Sequence, residues 1–220
     1  MKTKCISLIL IAASMACFAQ TATADDPTLD TAGLPVYMKL LPKPAPEPWR
    51  KITPKENSEY LVSMTFSPGA VLGYAAGAAI SQGINSPKEW GQGWGAYGKR
   101  FASSFGSTAI GNTVEYGTSF VFHDDNRYFR ATGKSFGARL GNVIISPLIA
   151  HNDHGGRRFS TSALLGGAAA STIPLAWSPP SWQGGSQVAL NAAIWYGETA
   201  GINLVREFFP SISQHLRDRR

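Results

Sequence analysis

The chain has 220 residues, of which 44% are hydrophobic and only 15% are charged, and its 20 Lys and Arg against 14 Asp and Glu give a formal net charge of +6. The charged fraction is well below the roughly 25% of an average soluble protein, while 23 Gly and 14 Pro occur without a collagen-like period. This composition excludes a disordered chain, a coiled coil and a disulfide scaffold, and the length suits one domain of moderate size.

The first 24 residues predict a secretory signal peptide. Lys2 and Lys4 precede an apolar stretch at 6–13, and Ala22-Thr23-Ala24 has the small-x-small pattern of a cleavage site. Processing at Cys17 as a lipoprotein is the alternative. Because both cysteines lie in this segment, the mature chain would carry no thiol, which excludes a disulfide framework, a cysteine nucleophile and a zinc–thiolate site. No motif in the sequence predicts a metal or another cofactor.

Residues 25–52 predict a Pro-rich extended arm. Proline occupies every second position from Pro42 to Pro48, and it donates no backbone hydrogen bond, so this stretch favours a polyproline-like conformation. The arm is either a spacer that docks on a partner or an ordinary tail of the mature chain. A helical domain is expected from residue 53 to residue 220.

Helix-capping signals divide that domain. Thr53-Pro54-Lys55-Glu56 and Ser86-Pro87-Lys88-Glu89 both resemble capping boxes, and Ser67-Pro68 predicts a break between two helices near Phe66. The fold class predicted is all-α, a Gly-rich bundle of about five helices that is membrane-embedded or membrane-associated. Further helices are predicted at 68–84, 90–121, 136–150, 161–173 and 187–208, with Ser135, Ser160 and Ser186 as caps and Pro174 and Pro210 as stops.

The membrane interpretation depends on long segments that almost lack charge. Residues 60–84 and 159–197 carry no charged side chain, and residues 101–122 carry only Glu115, so their lengths approach a bilayer span. Glycines spaced four apart predict helices that approach closely, as in small-xxx-small packing, although a tightly packed soluble bundle is the alternative. The glycines assigned to helix packing are Gly69, Gly73, Gly77, Gly137, Gly141, Gly197 and Gly201.

Two isolated carboxylates stand out in these segments. Glu115 and Glu198 each lie in a run of apolar and small residues, and an ionised carboxylate buried there would need a partner. Arg139 or Arg206 would serve as that partner, or the two Glu lie on an exposed helix face. A further alternative is that the two Glu handle protons or cations within a membrane.

Polar chemistry concentrates in two segments between the uncharged runs, 123–130 and 151–158. Histidine and aspartate suit metal binding or acid–base catalysis, and the neighbouring arginines suit a phosphate or carboxylate. The alternative is a pair of solvated loops whose charges pair and fix helix ends. The candidate polar site comprises His123, Asp124, Asp125, Arg127, Arg130, His151, Asp153, His154, Arg157 and Arg158.

Four blocks of the sequence resemble a family of uncharacterised exported bacterial proteins. The blocks are Trp90–Arg100, Asp125–Arg130, Gly156–Phe159 and Arg206–Pro210, and the resemblance covers about residues 86–212. It implies a place in the bacterial envelope and brings no activity and no catalytic residue.

These observations predict an exported cell-envelope protein with a structural or binding role at a membrane. Its expected partners are membrane lipid or another envelope protein, with a homo-oligomer as a further alternative. Nucleic acid is not expected, because the basic residues are spread along the chain and form no nucleic-acid motif. The competing hypothesis is a soluble periplasmic or membrane-associated hydrolase that uses the His, Asp and Arg loops.

Overall fold

The computed structural model describes residue 45 and residues 49–217, with side chains described as far as Phe208. The predicted signal peptide and most of the predicted arm lie outside these residues. Helices dominate the described chain, so the all-α prediction is confirmed at the level of fold class. The helices are α1 (Pro54–Phe66), α2 (Pro68–Gly83), α3 (Trp94–Phe122), α4 (Phe136–Ile145), α5 (Thr161–Thr172) and α6 (Gly185–Arg217), and the strands are β1 (Ile149–His151) and β2 (Arg157–Phe159).

The first two helices begin where their capping signals predict. The Thr53 hydroxyl accepts a hydrogen bond from the Glu56 amide over 3.2 Å, and the Glu56 carboxylate accepts one from the Thr53 amide over 3.0 Å. Ser67 caps α2 by accepting from the Ala70 amide over 3.2 Å. These bonds satisfy amides that a helix leaves free at its first turn. The same contact is made by Ser135 at α4 and Ser160 at α5.

The second predicted capping box, at Ser86, is wrong. Only a 3-10 turn, Lys88–Trp90, comes after it, and this turn has no side-chain cap. Gly91 and Gly93 come next with φ of +71° and +94°, values that side chains larger than hydrogen disfavour. They end the turn, and α3 therefore begins at Trp94 rather than near residue 90.

Two helix ends also differ from the prediction. The helix predicted at 136–150 stops at Ile145, because Ser146–Leu148 forms a 3-10 turn around Pro147 and Ile149 enters β1. The prediction contains no hairpin of β1 and β2, and it places the first two residues of β1 at the end of that helix. At the other end, α6 begins at Gly185 and runs past Pro210, so Ser186 is not its cap and Pro210 is not its stop.

Helix α3 lies at the centre of the bundle. It packs against α1, α2 and α5, and α6 packs against α4 and α5. The closest approach is between α3 and α5, where a methyl group on Gly166 would lie 2.6 Å from Glu115 Cβ and 2.8 Å from the carbonyl oxygen of Gly111. Glycine at this crossing allows the two backbones to approach closely.

The glycines predicted to pack helices lie elsewhere. A methyl group on any of five of them would meet no atom within 4 Å, and the other two are half-buried. Among the described residues of a single chain, the five open positions therefore make none of the predicted close contacts. The open glycines are Gly73, Gly77, Gly137, Gly141 and Gly197, and the half-buried ones are Gly69 and Gly201.

The interior is unusually polar. Among the described residues, the buried hydrophobic side chains are four tyrosines, five alanines and Val143, whereas buried polar and charged residues are more numerous and include Arg100, Arg206 and Glu207. Large apolar side chains lie on the outside instead, led by Trp94 at 88% exposure. Over the described part of the chain, no helix has both the length and the apolar character needed to cross a membrane.

Candidate functional site

The two predicted polar segments meet in the folded chain. Asp125 and His151 form an isolated antiparallel bridge, with amide-to-carbonyl distances of 2.9 and 3.0 Å. The chain turns back after His151, so that Arg157 of β2 pairs with His151 of β1. The segments 123–130 and 151–158 therefore form one polar region at the end of α3, which we call the loop cluster.

Asp124 binds two partners at the base of the loop cluster. Its buried carboxylate accepts hydrogen bonds from Arg158 Nε and Nη2 over 3.0 and 2.7 Å. The other oxygen accepts from the amide and the hydroxyl of Ser162 over 3.0 and 2.9 Å. Because Ser162 lies in the first turn of α5, Asp124 also places negative charge at the positive end of that helix.

Asp125 and Arg127 form a second, fully enclosed pair. The guanidinium donates from Nε to Oδ1 over 2.9 Å and from Nη2 to Oδ2 over 2.7 Å, and both side chains are only 5% exposed. Arg127 Nη2 also donates to the backbone carbonyl of Arg50 over 2.8 Å. This two-bond pair ties the segment that precedes α1 to the loop cluster.

A surface groove of about 260 Å³ runs beside these pairs. Asp153 lies on it and accepts from Lys51 Nζ over 2.5 Å, while His123 Nδ1 lies 3.2 Å away. The hydrogen bond from Lys51 holds the pKa of Asp153 below its usual range. Trp49 and Phe120 also line the groove, so both polar and aromatic surface face it.

The histidines do not assemble a metal site. His151 lies edge-on to the Phe129 ring at 4.5 Å, its Nδ1 has no hydrogen-bond partner, and burial lowers its pKa. His123 and His154 are exposed. In the described chain, no group of three or more His, Cys, Asp or Glu has an arrangement that would hold a metal ion.

The loop cluster is thus a set of charge pairs that fastens α3, α5 and the segment before α1 together. Each of its three aspartates has a basic partner, and Arg130 donates to the carbonyl of Glu207 over 3.3 Å. Arg157 differs, because it is exposed and its guanidinium donates only to Asn142 Oδ1 over 3.3 Å. This arrangement matches the alternative interpretation of the sequence, in which the loop charges pair and fix helix ends.

A separate polar centre surrounds Glu207, which the sequence did not single out. Its side chain is fully buried and accepts from Arg139 Nε over 2.7 Å, from Tyr128 Oη over 2.7 Å and from the Ala131 amide over 3.1 Å. Burial alone raises the pKa of Glu207, but these three donors outweigh it and hold the pKa below its ordinary value. Arg139 therefore pairs with Glu207 and not with Glu115 or Glu198.

The two carboxylates predicted to be buried have different surroundings. Glu198 lies on the surface of α6, and the desolvation of its carboxyl by the surrounding atoms raises its pKa to about 7. Glu115 is half-buried and lines a central cavity of about 40 Å³ between α1, α3 and α6. Desolvation raises its pKa to about 7, although the side chain of Asn126 acts in the opposite direction.

Arg206 lines the same cavity and is 5% exposed. Its Nη1 donates to Asn203 Oδ1 over 3.3 Å, its Nη2 lies 3.7 Å from Met64 Sδ, and its Nε has no partner. No carboxylate of the described residues lies within 4 Å of it. The helical spacing of Thr199, Asn203 and Arg206, which places all three on one face of α6, is the signal that would have drawn attention to this cavity.

Comparison with known proteins identifies no relative. No family model matches the chain, and neither a curated protein nor a solved structure shows significant similarity to it. The resemblance to exported bacterial proteins therefore stays a prediction.

Proposed function

We propose that this protein is an exported bacterial cell-envelope protein with a structural or binding role at a membrane, where its apolar outer surface contacts lipid. The observation that carries the proposal is the distribution of side chains. Arginine, aspartate, asparagine and serine side chains are buried, whereas large apolar side chains are exposed. A water-soluble domain normally has the reverse distribution.

The energetics favour an apolar environment for this surface. Exposed apolar surface costs roughly 25 cal/mol per Å² in water, and lipid contact removes that cost. Polar groups that pair with each other inside the bundle satisfy the requirement that a membrane places on buried hydrogen-bonding groups. The predicted signal peptide and the nearly uncharged segments support the same location.

Two apolar regions are the strongest candidates for lipid contact. At the end of α3, Val121 is 72% exposed, and Phe159 on β2 is 53% exposed. They belong to neighbouring segments, because Arg158 donates a hydrogen bond to the carbonyl of Phe122. The second region lies on α4, where Phe136 and Ile145 are 69% and 51% exposed.

Fractionation of bacteria that express the full chain with a C-terminal tag tests the proposal. We expect the protein in the membrane fraction, resistant to high salt and carbonate and released by detergent. Recovery in the periplasmic fraction without detergent would overturn it, and so would release by salt alone.

A matched pair of variants separates lipid contact from folding. Val121→Asn replaces an apolar side chain that projects from α3, and Thr113→Asn places the same side chain at an exposed polar position of that helix. The double variant Val121→Asn/Phe136→Ser should be released by carbonate more readily than the parent. Thr113→Asn should be released to the same extent as the parent. Equal retention of the two, with equal thermal stability in detergent, would argue against lipid contact at these surfaces.

A further inference from the structure

The central cavity contains a buried cation that its neighbours do not neutralise. Arg206 is 5% exposed, and the groups around its guanidinium are neutral: Asn203, Met64 and the Tyr60 ring, whose centroid lies 5.9 Å from Cζ. An arginine keeps its charge under all ordinary conditions, and burial of an uncompensated charge is strongly unfavourable.

A second buried arginine shows how this chain satisfies such a group elsewhere. Arg100 is 2% exposed, and its guanidinium donates to the carbonyl oxygens of Ser86, Pro87 and Gly91 and to the Gln82 side chain. All three nitrogen atoms of the Arg100 guanidinium therefore donate a hydrogen bond to one of these oxygen atoms. Among the described residues Arg206 has no such set of acceptors, and none of them accepts a hydrogen bond from its Nε.

The space beside Arg206 is suited to a small ligand. The cavity holds about 40 Å³, which is room for a few water molecules or one ion of similar size and too little for an organic molecule. Asn112, Trp195 and Thr199 contribute to its walls, so polar groups and an aromatic ring line the space together. Glu115 is the one carboxylate among the residues that line it.

We propose that this cavity binds a small monovalent anion, of the size of chloride, with Arg206 as its cationic ligand. The anion supplies the negative charge that Arg206 lacks and accepts the hydrogen bond that Nε does not make elsewhere. Glu115 is protonated while the anion is bound, because an ionised carboxylate in the same cavity would repel it. The competing arrangement has an ionised Glu115 as the counter-charge, reached through bridging water.

Bromide is the probe, because it resembles chloride and is located directly by its anomalous X-ray scattering. We expect anomalous density in the cavity in crystals of the detergent-solubilised full chain grown with sodium bromide. We also expect a higher melting temperature in sodium chloride or bromide than in sodium gluconate at the same ionic strength. A cavity without bromide, together with equal melting temperatures in the three salts, would overturn the proposal.

Glu115→Gln and Arg206→Gln decide between the anion and Glu115 as counter-charge, and Arg157→Gln is their control. Glu115→Gln removes the cavity carboxylate and keeps its shape, so it should lower the half-saturating bromide concentration several-fold. If Glu115 is the counter-charge, the parent should instead show no bromide density and no halide effect, and Glu115→Gln should be less stable than the parent in gluconate, which would overturn the proposal. Arg206→Gln should abolish the halide effect, and Arg157→Gln, at an exposed arginine, should leave it unchanged.

Discussion

Arg139 of α4 donates to the fully buried carboxylate of Glu207 on α6 over 2.7 Å, joining residues that are 68 positions apart in the chain. Tyr128 and the Ala131 amide donate to the same carboxylate, so this one side chain connects α6, α4 and the segment that leads from α3 to α4. In a bundle whose interior contains few large apolar side chains, such a centre fixes how the helices pack.

Replacement of Arg139 by Met should therefore destabilise the bundle by about 3 kcal/mol or more, because it leaves a buried carboxylate without its ion-pair partner. Urea denaturation followed by circular dichroism measures the loss. Arg157→Met, which removes the same charge from an exposed position, should change stability by less than about 0.5 kcal/mol. Similar losses in the two variants would show that the Glu207 centre does not hold the helices together.

The capping boxes show how far the fold could be predicted from the sequence. Thr53 and Ser86 begin the same local pattern, yet only Thr53 starts an α-helix. The difference lies downstream of the cap, because Gly91 and Gly93 adopt backbone angles that end the turn after Ser86. Capping signals were thus enough to predict that most of the helices form. Where a helix begins or ends also depended on residues beyond the cap and on the hairpin that starts at Ile149.

The sequence predicted which residues belong to the candidate site but not which of them form pairs. The sequence placed Asp124 and Arg158 in polar segments, but only the fold brings them to 2.7 Å and makes them a pair. Glu207 was missed because a charged residue next to Arg206 is typical of an exposed helix surface. Its burial is a result of long-range contacts with Arg139 and Tyr128, which no local pattern reveals.

Glu115 should make stability depend on pH. Its pKa is about 7 in the folded chain and 4.5 in the unfolded one, so the folded state holds the proton more tightly. The contribution of protonated Glu115 to the free energy of unfolding is complete below pH 4.5, and it is lost as the pH rises through 7. Since one pKa unit corresponds to about 1.4 kcal/mol, the loss approaches about 3 kcal/mol.

Glu115→Gln is the control for this titration, because an amide cannot ionise. Stability of the parent relative to the variant should fall between pH 4.5 and pH 8, as measured by urea denaturation at each pH. Other titrating groups affect both proteins equally and cancel in the difference. Parallel stability curves for the two proteins would mean that Glu115 has an ordinary pKa.

The crossing of α3 and α5 should tolerate no added methyl group. Gly166→Ala places Cβ 2.6 Å from Glu115 Cβ and 2.8 Å from a backbone carbonyl, so a helix must shift, at a cost of about 1–3 kcal/mol. Gly77→Ala, in open space on α2, should instead stabilise the chain by up to about 1 kcal/mol through helix propensity. Thermal denaturation of both variants measures the contrast, and destabilisation by Gly77→Ala would indicate that Gly77 contacts a second chain or another segment.

Among the four arginines of the loop cluster, Arg157 is the one expected to contact anionic lipid. Arg127 is enclosed with Asp125, Arg158 pairs with Asp124, and Arg130 donates to a carbonyl of α6. Arg157 is exposed and lies within 4 Å of no carboxylate of the described residues.

Arg157→Gln should therefore weaken binding to vesicles that contain phosphatidylglycerol by about fivefold, since one basic residue near an anionic surface contributes about 1 kcal/mol. Binding to neutral phosphatidylcholine vesicles, measured by co-sedimentation, should stay the same. Arg127→Gln should lower the melting temperature in detergent instead, because it leaves the buried Asp125 unpaired. If Arg157→Gln and the parent bind anionic vesicles equally, the loop cluster does not face the lipid headgroups, and its charges serve only to hold α3, α5 and the segment before α1 together.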